Sequence, residues 1–186
     1  VGMLEERKGH RYLLEAIAIA NRARSEAPRI KCAIAGEGSK RDELATFAKE
    51  LGIARDVLFL GMIGDSRQLL DALDAFVFPS LKEGLGVALL EAMACGLPVV
   101  ASRAGGVIDI VEDNQSGVLV APRDAASIAD AIATLVTDTP RRANLGSAGR
   151  VRIVENFSID ATTKKTIDLY WASLARRAGG PEGAKH

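Results

Sequence analysis

The feature that most constrains this chain is an alternation of short apolar runs with amphipathic stretches. Nearly continuous apolar runs stand at 30–35 (IKCAIA), 57–60 (VLFL), 75–78 (AFVF), 98–101 (PVVA) and 118–121 (VLVA). Between and after them the spacing predicts helices over 10–24, 39–51, 65–73, 86–95, 105–112 and 125–136, then over 140–154 and 159–177. In the first of these, Leu13, Leu14, Ile17 and Ala20 repeat at helical period. Ser39 stands where an N-cap belongs, and Gly52 ends that helix. Strands that are apolar throughout are buried on both faces, which is the pattern of a parallel sheet. The expected fold is therefore α/β, a Rossmann-like parallel sheet with helices on both faces and right-handed crossovers. In such sheets ligands bind beyond the carboxyl ends of the strands. The informative loops are those after residues 4, 35, 60, 78, 101 and 121. Residues 1–177 read as one domain and 178–186 as a flexible tail. The last two helices have no strand between them, so they are expected to wrap the domain or to reach toward a partner domain.

Composition removes several classes of function. The 24 basic and 24 acidic residues give zero net charge, and aromatic residues make up 4%. Neither long-range attraction to nucleic acid or anionic membranes nor a stacking platform is indicated. No apolar run is long enough to span a bilayer. Cys32 and Cys95 both sit in apolar runs and read as core thiols of a cytoplasmic protein, not as a disulfide framework. His10 and His186 are the only histidines, which argues against a His-based triad or a His-rich metal site. There is no phosphate-binding G-x-x-x-x-G-K-[ST] and no G-x-S-x-G elbow. The chain opens at Val1 without a signal peptide and reads as part of a longer protein.

The 18 glycines exceed the roughly 13 expected at about 7%, and they gather in the informative loops. The strongest local signal is Pro79-Ser80-Leu81-Lys82-Glu83-Gly84-Leu85-Gly86, followed by VALLEAMACG. Gly84 and Gly86 lie between a strand and a helix, where a phosphate or diphosphate can meet backbone N–H groups and the helix N-terminus. Glu83 stands at the mouth of that loop. Glu91 sits on a helix that is apolar on nearly every side, so it is expected to be buried and to need donors. Those donors are either ribose hydroxyls or a protein group. Lys8, in Lys8-Gly9 after Val1-Gly2-Met3-Leu4, either covers a phosphate or is a solvated surface lysine; Arg7 is a weaker candidate. Gly36-Glu37-Gly38 is a lone G-x-G, with Arg41 where a dinucleotide fingerprint needs its third glycine. It marks a turn, with or without a nucleobase beside it. Gly105 and Gly106 offer further backbone amides, and Asp109 either caps a short helix or touches a sugar hydroxyl. His10 reads as a surface residue at a helix start.

Together these motifs resemble the C-terminal, donor-binding domain of GT-B glycosyltransferases, specifically the retaining family 4 (glycosyl transferases group 1). The likeness rests on FVFPSLKEGLGVALLEAMACGLPVVAS at 76–102, in which Glu83 and Glu91 match the family's paired glutamates. It is extended by the opening VG-x-L-x-x-x-KG, the AGEG turn, VLFLG at 57–61, and GG-x-x-D-I-V-x-D-x-x-S-G-V-L-V at 105–120. The resemblance implies a nucleoside diphosphate sugar as donor, UDP, GDP or ADP linked, with no cofactor and no bound metal. It assigns Lys8 to the diphosphate and Glu83 to the donor sugar near the reacting centre. It assigns the amides of Gly84, Leu85 and Gly86 to phosphates or sugar, and Glu91 to the ribose. The turns holding Gly36 and Gly38, and Met62 and Ile63, would border the base. It further implies an N-terminal domain that carries most of the acceptor site, and an acceptor that is a glycan, a lipid or a small molecule. Membrane association, if any, would come peripherally through that domain. The segment from Phe157 to Trp171 would pack back across it, and the 186 residues alone would bind a donor without transferring its sugar. Two departures stand out: Met3 where the family has arginine, and Ile108-Asp109 where Pro-Glu is common. Three other readings stay open: a noncatalytic nucleotide-sugar-binding module, an α/β oligomerisation domain with Glu91 as a structural acid, and a sugar-nucleotide epimerase, whose acid–base side chains this histidine-poor chain does not obviously supply.

Overall fold

The computed structural model describes residues 1–24 and 26–178. A short 3-10 turn, Glu6–Lys8, leads into α1 (His10–Ala23). Then follow β1 (Cys32–Ala35), α2 (Arg41–Glu50), β2 (Val57–Gly61), α3 (Ser66–Leu70), β3 (Phe76–Phe78) and α4 (Val87–Ala94). The second half holds β4 (Val99–Ser102), α5 (Val107–Ile110), β5 (Val118–Val120), α6 (Ala125–Thr137), α7 (Thr139–Phe157) and α8 (Ile159–Ala178). The five strands of the described residues pair in parallel and helices lie on both faces, but β2 is not buried on both as its apolar run predicts, since Leu58 is 60% exposed.

The strands fall into two sheets, not one. β1 pairs with β2, with Cys32 opposite Val57, and β4 lies between β3 and β5. The segment 1–4 reaches only the end of β1. The Gly2 N–H donates to the Ala35 carbonyl at 2.9 Å and the Leu4 N–H to the Glu37 carbonyl at 2.8 Å.

Two apolar layers follow from the helix faces. On one, Leu13, Leu14 and Ile17 of α1 pack with Ile128, Ile132 and Leu135 of α6 over Ile34 and Val100. On the other, Leu89 and Met93 of α4 and Ile153 of α7 close over Phe76, Phe78 and Val99. Each fully buried leucine or isoleucine adds about 1.5–3 kcal/mol of transfer free energy. α4 and α7 approach closely because a Cβ on Gly146 would stand 2.1 Å from the Gly96 carbonyl oxygen.

Several helix limits differ from the sequence expectation, for local reasons. α2 starts at Arg41, and no side chain caps it; Ser39 lies in the preceding turn, and Asp42 and Glu43 complement the helix dipole instead. α3 is shorter than 65–73, with the Asp65 carboxylate accepting from the Arg67 N–H. Asp124 and Asp138 cap α6 and α7 in the same way. Beyond Ala178, the tail expected over 178–186 lies outside the described residues. No helix among the described residues is long and apolar enough to cross a membrane.

Candidate functional site

The loop after β3 meets the 7–9 turn on one side and the loop after β4 on the other, and glycines make both meetings possible. Gly9 has φ +68, and a Cβ there would stand 2.0 Å from the Pro79 carbonyl oxygen. The Leu81 N–H donates to the Arg7 carbonyl at 2.8 Å, so the 7–9 and 79–83 segments are fastened backbone to backbone. On the far side, a Cβ on Gly105 would stand 2.0 Å from the Glu83 carbonyl oxygen, and one on Gly106 2.1 Å from that of Gly84. The Gly106 N–H donates to the Glu83 carbonyl at 3.3 Å. These two glycines therefore place the Glu83 loop, and the Gly106 amide is engaged within the protein.

Held between these contacts, Lys8 and Glu83 meet. The Lys8 ammonium donates to Glu83 Oε2 at 2.6 Å, and the Ser80 hydroxyl donates to the same oxygen at 3.3 Å. The two charged side chains are only 17% and 9% exposed. A pair this dry is costly to break on one side, since the charge left behind has no water to turn to. The Lys8 ammonium also lies 5.7 Å from the centre of the Phe78 ring. Lys8 is thus a half-buried, partnered residue, not a solvated one.

The rest of the expected set surrounds this pair. Gly84 and Leu85 are exposed, Leu85 to 60%. Gly86 is buried at the start of α4, where a Cβ would crowd the Phe78 ring at 3.2 Å. Gly36, with φ +133, and Gly38 are needed because the 1–4 segment passes over them. Added Cβ atoms would stand 1.9 Å from the Gly2 carbonyl oxygen and 2.4 Å from that of Leu4. Met62 is exposed to 81%, and Ile63 is half-buried, both on the loop after β2.

Two expectations are corrected. Glu91 is exposed, not buried: α4 turns Leu89, Ala92 and Met93 inward and leaves Val87 and Glu91 outside. Its partner is the Ser66 hydroxyl, which donates to Oε2 at 3.1 Å. His10 is buried, not on the surface, because the first turn of α1 lies under Lys8 and Val1. Burial, with the positive charges of the Val1 ammonium and Lys8 nearby, pushes its pKa down to about 4. Its Nδ1 has no hydrogen-bond partner. Sequence reasoning also missed Ser66 and Ser80. Ser66 reaches Glu91 only through the fold, 25 residues away, whereas Ser80 stands three residues before Glu83, a local spacing that could have marked it. Met3 is 52% exposed, and Arg7, the candidate to replace a guanidinium there, pairs with Glu5 at 2.8 Å.

Among the described residues no group of three or more His, Cys, Asp or Glu side chains is placed to hold a metal ion. The model of the family "Glycosyl transferases group 1" matches residues 1–152. The chain belongs to the group 1 glycosyltransferases. It is 36% identical over 169 residues to the lipopolysaccharide core biosynthesis glycosyltransferase LpsE of Rhizobium meliloti, covering 91% of this chain and 48% of that one. The fold is similar to Anabaena HepE, solved in complex with UDP, with TM-score 0.83 and 28% identity over 92% of this chain and 47% of that chain. It is also similar to the C-terminal domain of a Francisella tularensis group 1 glycosyltransferase, LpcC. There the TM-score is 0.75 at 30% identity, over 86% of this chain and 84% of that domain. The chain spans less than half the length of the curated relatives it matches. The GT-B half expected from the sequence is the fold observed.

Proposed function

We propose that this chain is the donor-binding half of a retaining glycosyltransferase, and that its donor is a nucleoside diphosphate sugar. The observation that carries this reading is the desolvated Lys8–Glu83 pair, set at the strand ends beside the start of α4. A diphosphate arriving there meets the Lys8 ammonium, the backbone at Gly84, Leu85 and Gly86, and the positive end of α4. Lys8 has three donors and gives one to Glu83, so it can serve a phosphate oxygen and its carboxylate partner together. Negative charge builds on the diphosphate as the sugar leaves, and Lys8 stabilises it there. Glu83, fixed by Lys8 and Ser80, faces the donor sugar. Glu91 accepts from the ribose hydroxyls, with Ser66 holding its carboxylate ready. The turns at Gly36–Gly38 and Met62–Ile63 border the base. HepE has been solved with UDP-glucose, which supports a uridine donor as the first to try here. An N-terminal domain supplies the acceptor site, and these 186 residues alone bind donor without transfer.

Calorimetric titration of the chain with UDP, GDP and ADP, then with sugar conjugates of whichever binds, tests this. Saturable binding of one nucleotide, weakened about tenfold or more in Glu91→Ala, is expected. No heat and no thermal shift with any of the three would overturn the donor site. A second reading, a noncatalytic nucleotide-sugar module, is favoured by Met3, because a thioether cannot neutralise a diphosphate and Arg7 is engaged with Glu5. Transfer by the full-length protein excludes it, and restored or raised transfer in Met3→Arg would measure what the substitution removed.

A further inference from the structure

The Glu83 loop is seated against the start of α5, and α5 is a single turn, Val107–Ile110. One turn does not hold itself, because it fixes several dihedrals for one hydrogen bond. Val107 and Ile110 are buried, so apolar packing sets how deep α5 lies. The carbonyls of Asp109 and Ile110 stand at its carboxyl end, where no further turn supplies donors. A residue 42 positions along the chain from Ile110 supplies them. Arg152, on α7, donates from Nε to the Ile110 carbonyl at 2.7 Å and from Nη2 to the Asp109 carbonyl at 2.8 Å. Its Nη1 pairs with Glu112, just beyond. We propose, on the donor-binding reading of the site, that Arg152 is a positioning residue for Glu83. By gripping the carboxyl end of α5, it fixes Gly105 and Gly106 at the other end, against which the Glu83 loop is set.

The link from Arg152 to Glu83 is short and mostly backbone. The Gly106 N–H donates to the Glu83 carbonyl, and Gly105 and Gly106 leave no room for a Cβ beside the carbonyls of Glu83 and Gly84. Segments in such close contact transmit a displacement instead of absorbing it. The Glu83 carboxylate in turn meets Lys8 and Ser80. The residue type at 152 matters as well. The two carbonyls belong to successive residues, and a planar guanidinium serves both with its fixed fork, whereas an ammonium is a point charge. A cation at this place also meets the negative end of the turn. The guanidinium is held in turn: its side chain is 22% exposed and its centre stands 6.0 Å from that of the Phe157 ring. The Glu112 carboxylate is 49% exposed, so that ion pair contributes little. The grip on the two carbonyls is what fixes α5.

The test compares Arg152→Met, Arg152→Lys and Glu112→Gln with the wild-type chain in two readouts. NMR needs no ligand. Arg152→Met is expected to speed hydrogen exchange of the Gly106 amide about tenfold and to shift the amide resonances of Glu83 and Gly84, with Val100 in β4 unmoved. Calorimetry with UDP and UDP-glucose then reads the site. UDP-glucose is expected to lose at least about fivefold more affinity than UDP in Arg152→Met, because Glu83 faces the sugar. A merely structural loss would weaken both ligands alike. Arg152→Lys should move both readouts the same way by less, and Glu112→Gln should move neither. The proposal is overturned by changes at Asp109 and Ile110 that stop short of Gly106 and Glu83, by equal weakening of the two ligands, or by a Glu112→Gln variant that matches Arg152→Met. If Arg152→Met does not fold, Arg152→Lys carries the test, and wild-type behaviour in both readouts would overturn the proposal. A wild-type chain that binds neither ligand would overturn the donor reading instead, and the NMR readout would still decide whether Arg152 seats the Glu83 loop.

Discussion

Gly105 and Gly84 lie on the two sides of one site, and their surroundings separate positioning from binding. At Gly105, φ is +53 and an added Cβ would collide with the Glu83 carbonyl; at Gly84 the added Cβ meets nothing within 4 Å. Gly105→Ala is therefore expected to cost about 2 kcal/mol or more in urea unfolding, and Gly84→Ala less than about 0.5 kcal/mol. Equal costs would refute the account of Gly105 as the residue that seats the Glu83 loop. Lys8 and Glu83 make a complementary case. Lys8→Ala leaves a carboxylate 9% exposed without its cation. It should weaken nucleotide binding at least about tenfold while also lowering stability. The double variant Lys8→Met with Glu83→Gln should recover much of the stability and none of the binding. Both motifs were legible in the sequence, as a lysine before a glycine and a glutamate in a glycine-rich loop. That they form one ion pair was not, because 75 residues of chain separate them.

Among the elements, α7 and α1 are the most informative. Replacing a glycine inside an exposed helix by alanine stabilises it by about 1 kcal/mol. In α7 the sign is expected to reverse at Gly146, where the Gly96 backbone leaves no room for a Cβ. Thermal unfolding of Gly146→Ala should show a lower Tm; a rise would mean that α4 and α7 pack more loosely than described. α1 begins at the buried His10, whose pKa near 4 lies below its ordinary 6.5. The unfolded chain then binds more protons between those values, so stability is complete above about pH 6.5 and is lost as pH falls toward 4. At about 1.4 kcal/mol per unit the loss approaches about 3 kcal/mol. Urea midpoints measured from pH 7.5 down to 4.5 should fall in the wild type and stay flatter in His10→Asn. Asp56 acts in a different window. Its hydrogen bonds and charge pairing with Arg29, then Lys31, hold it at about 2, so its contribution is lost only below about 3.8.

For the whole molecule, α8 is the element that the rest of the chain leaves most open. Ile159, Leu169, Tyr170, Trp171 and Leu174 are all more than half exposed, which is unusual for apolar residues so close together on one helix. On the proposed function, an N-terminal domain would cover some of these residues. Trp171 is the only tryptophan of the 186 residues, so in this chain tryptophan emission reports on α8 alone. Its emission in the 186-residue chain should be that of a solvated indole. A blue-shifted emission would mean that α8 is covered and not open as described.

What the sequence determined by itself was whatever depends on near neighbours along the chain. Continuous apolar runs dictated parallel strands, helical spacing placed α1, α4 and α6, and Glu83 with Gly84 and Gly86 marked the loop that carries one half of the Lys8–Glu83 pair. Tertiary structure alone decided what depends on distance in space. It put Glu91 in the open beside Ser66, because the inward face of α4 is chosen by what lies beneath it. It buried His10, because the chain before it and Lys8 fold back over α1. It left the strands in two sheets, because no ladder joins β1 to β3. A pattern of apolar residues states which surfaces must leave water, whereas the choice of which surfaces meet is made only when the whole chain packs at once.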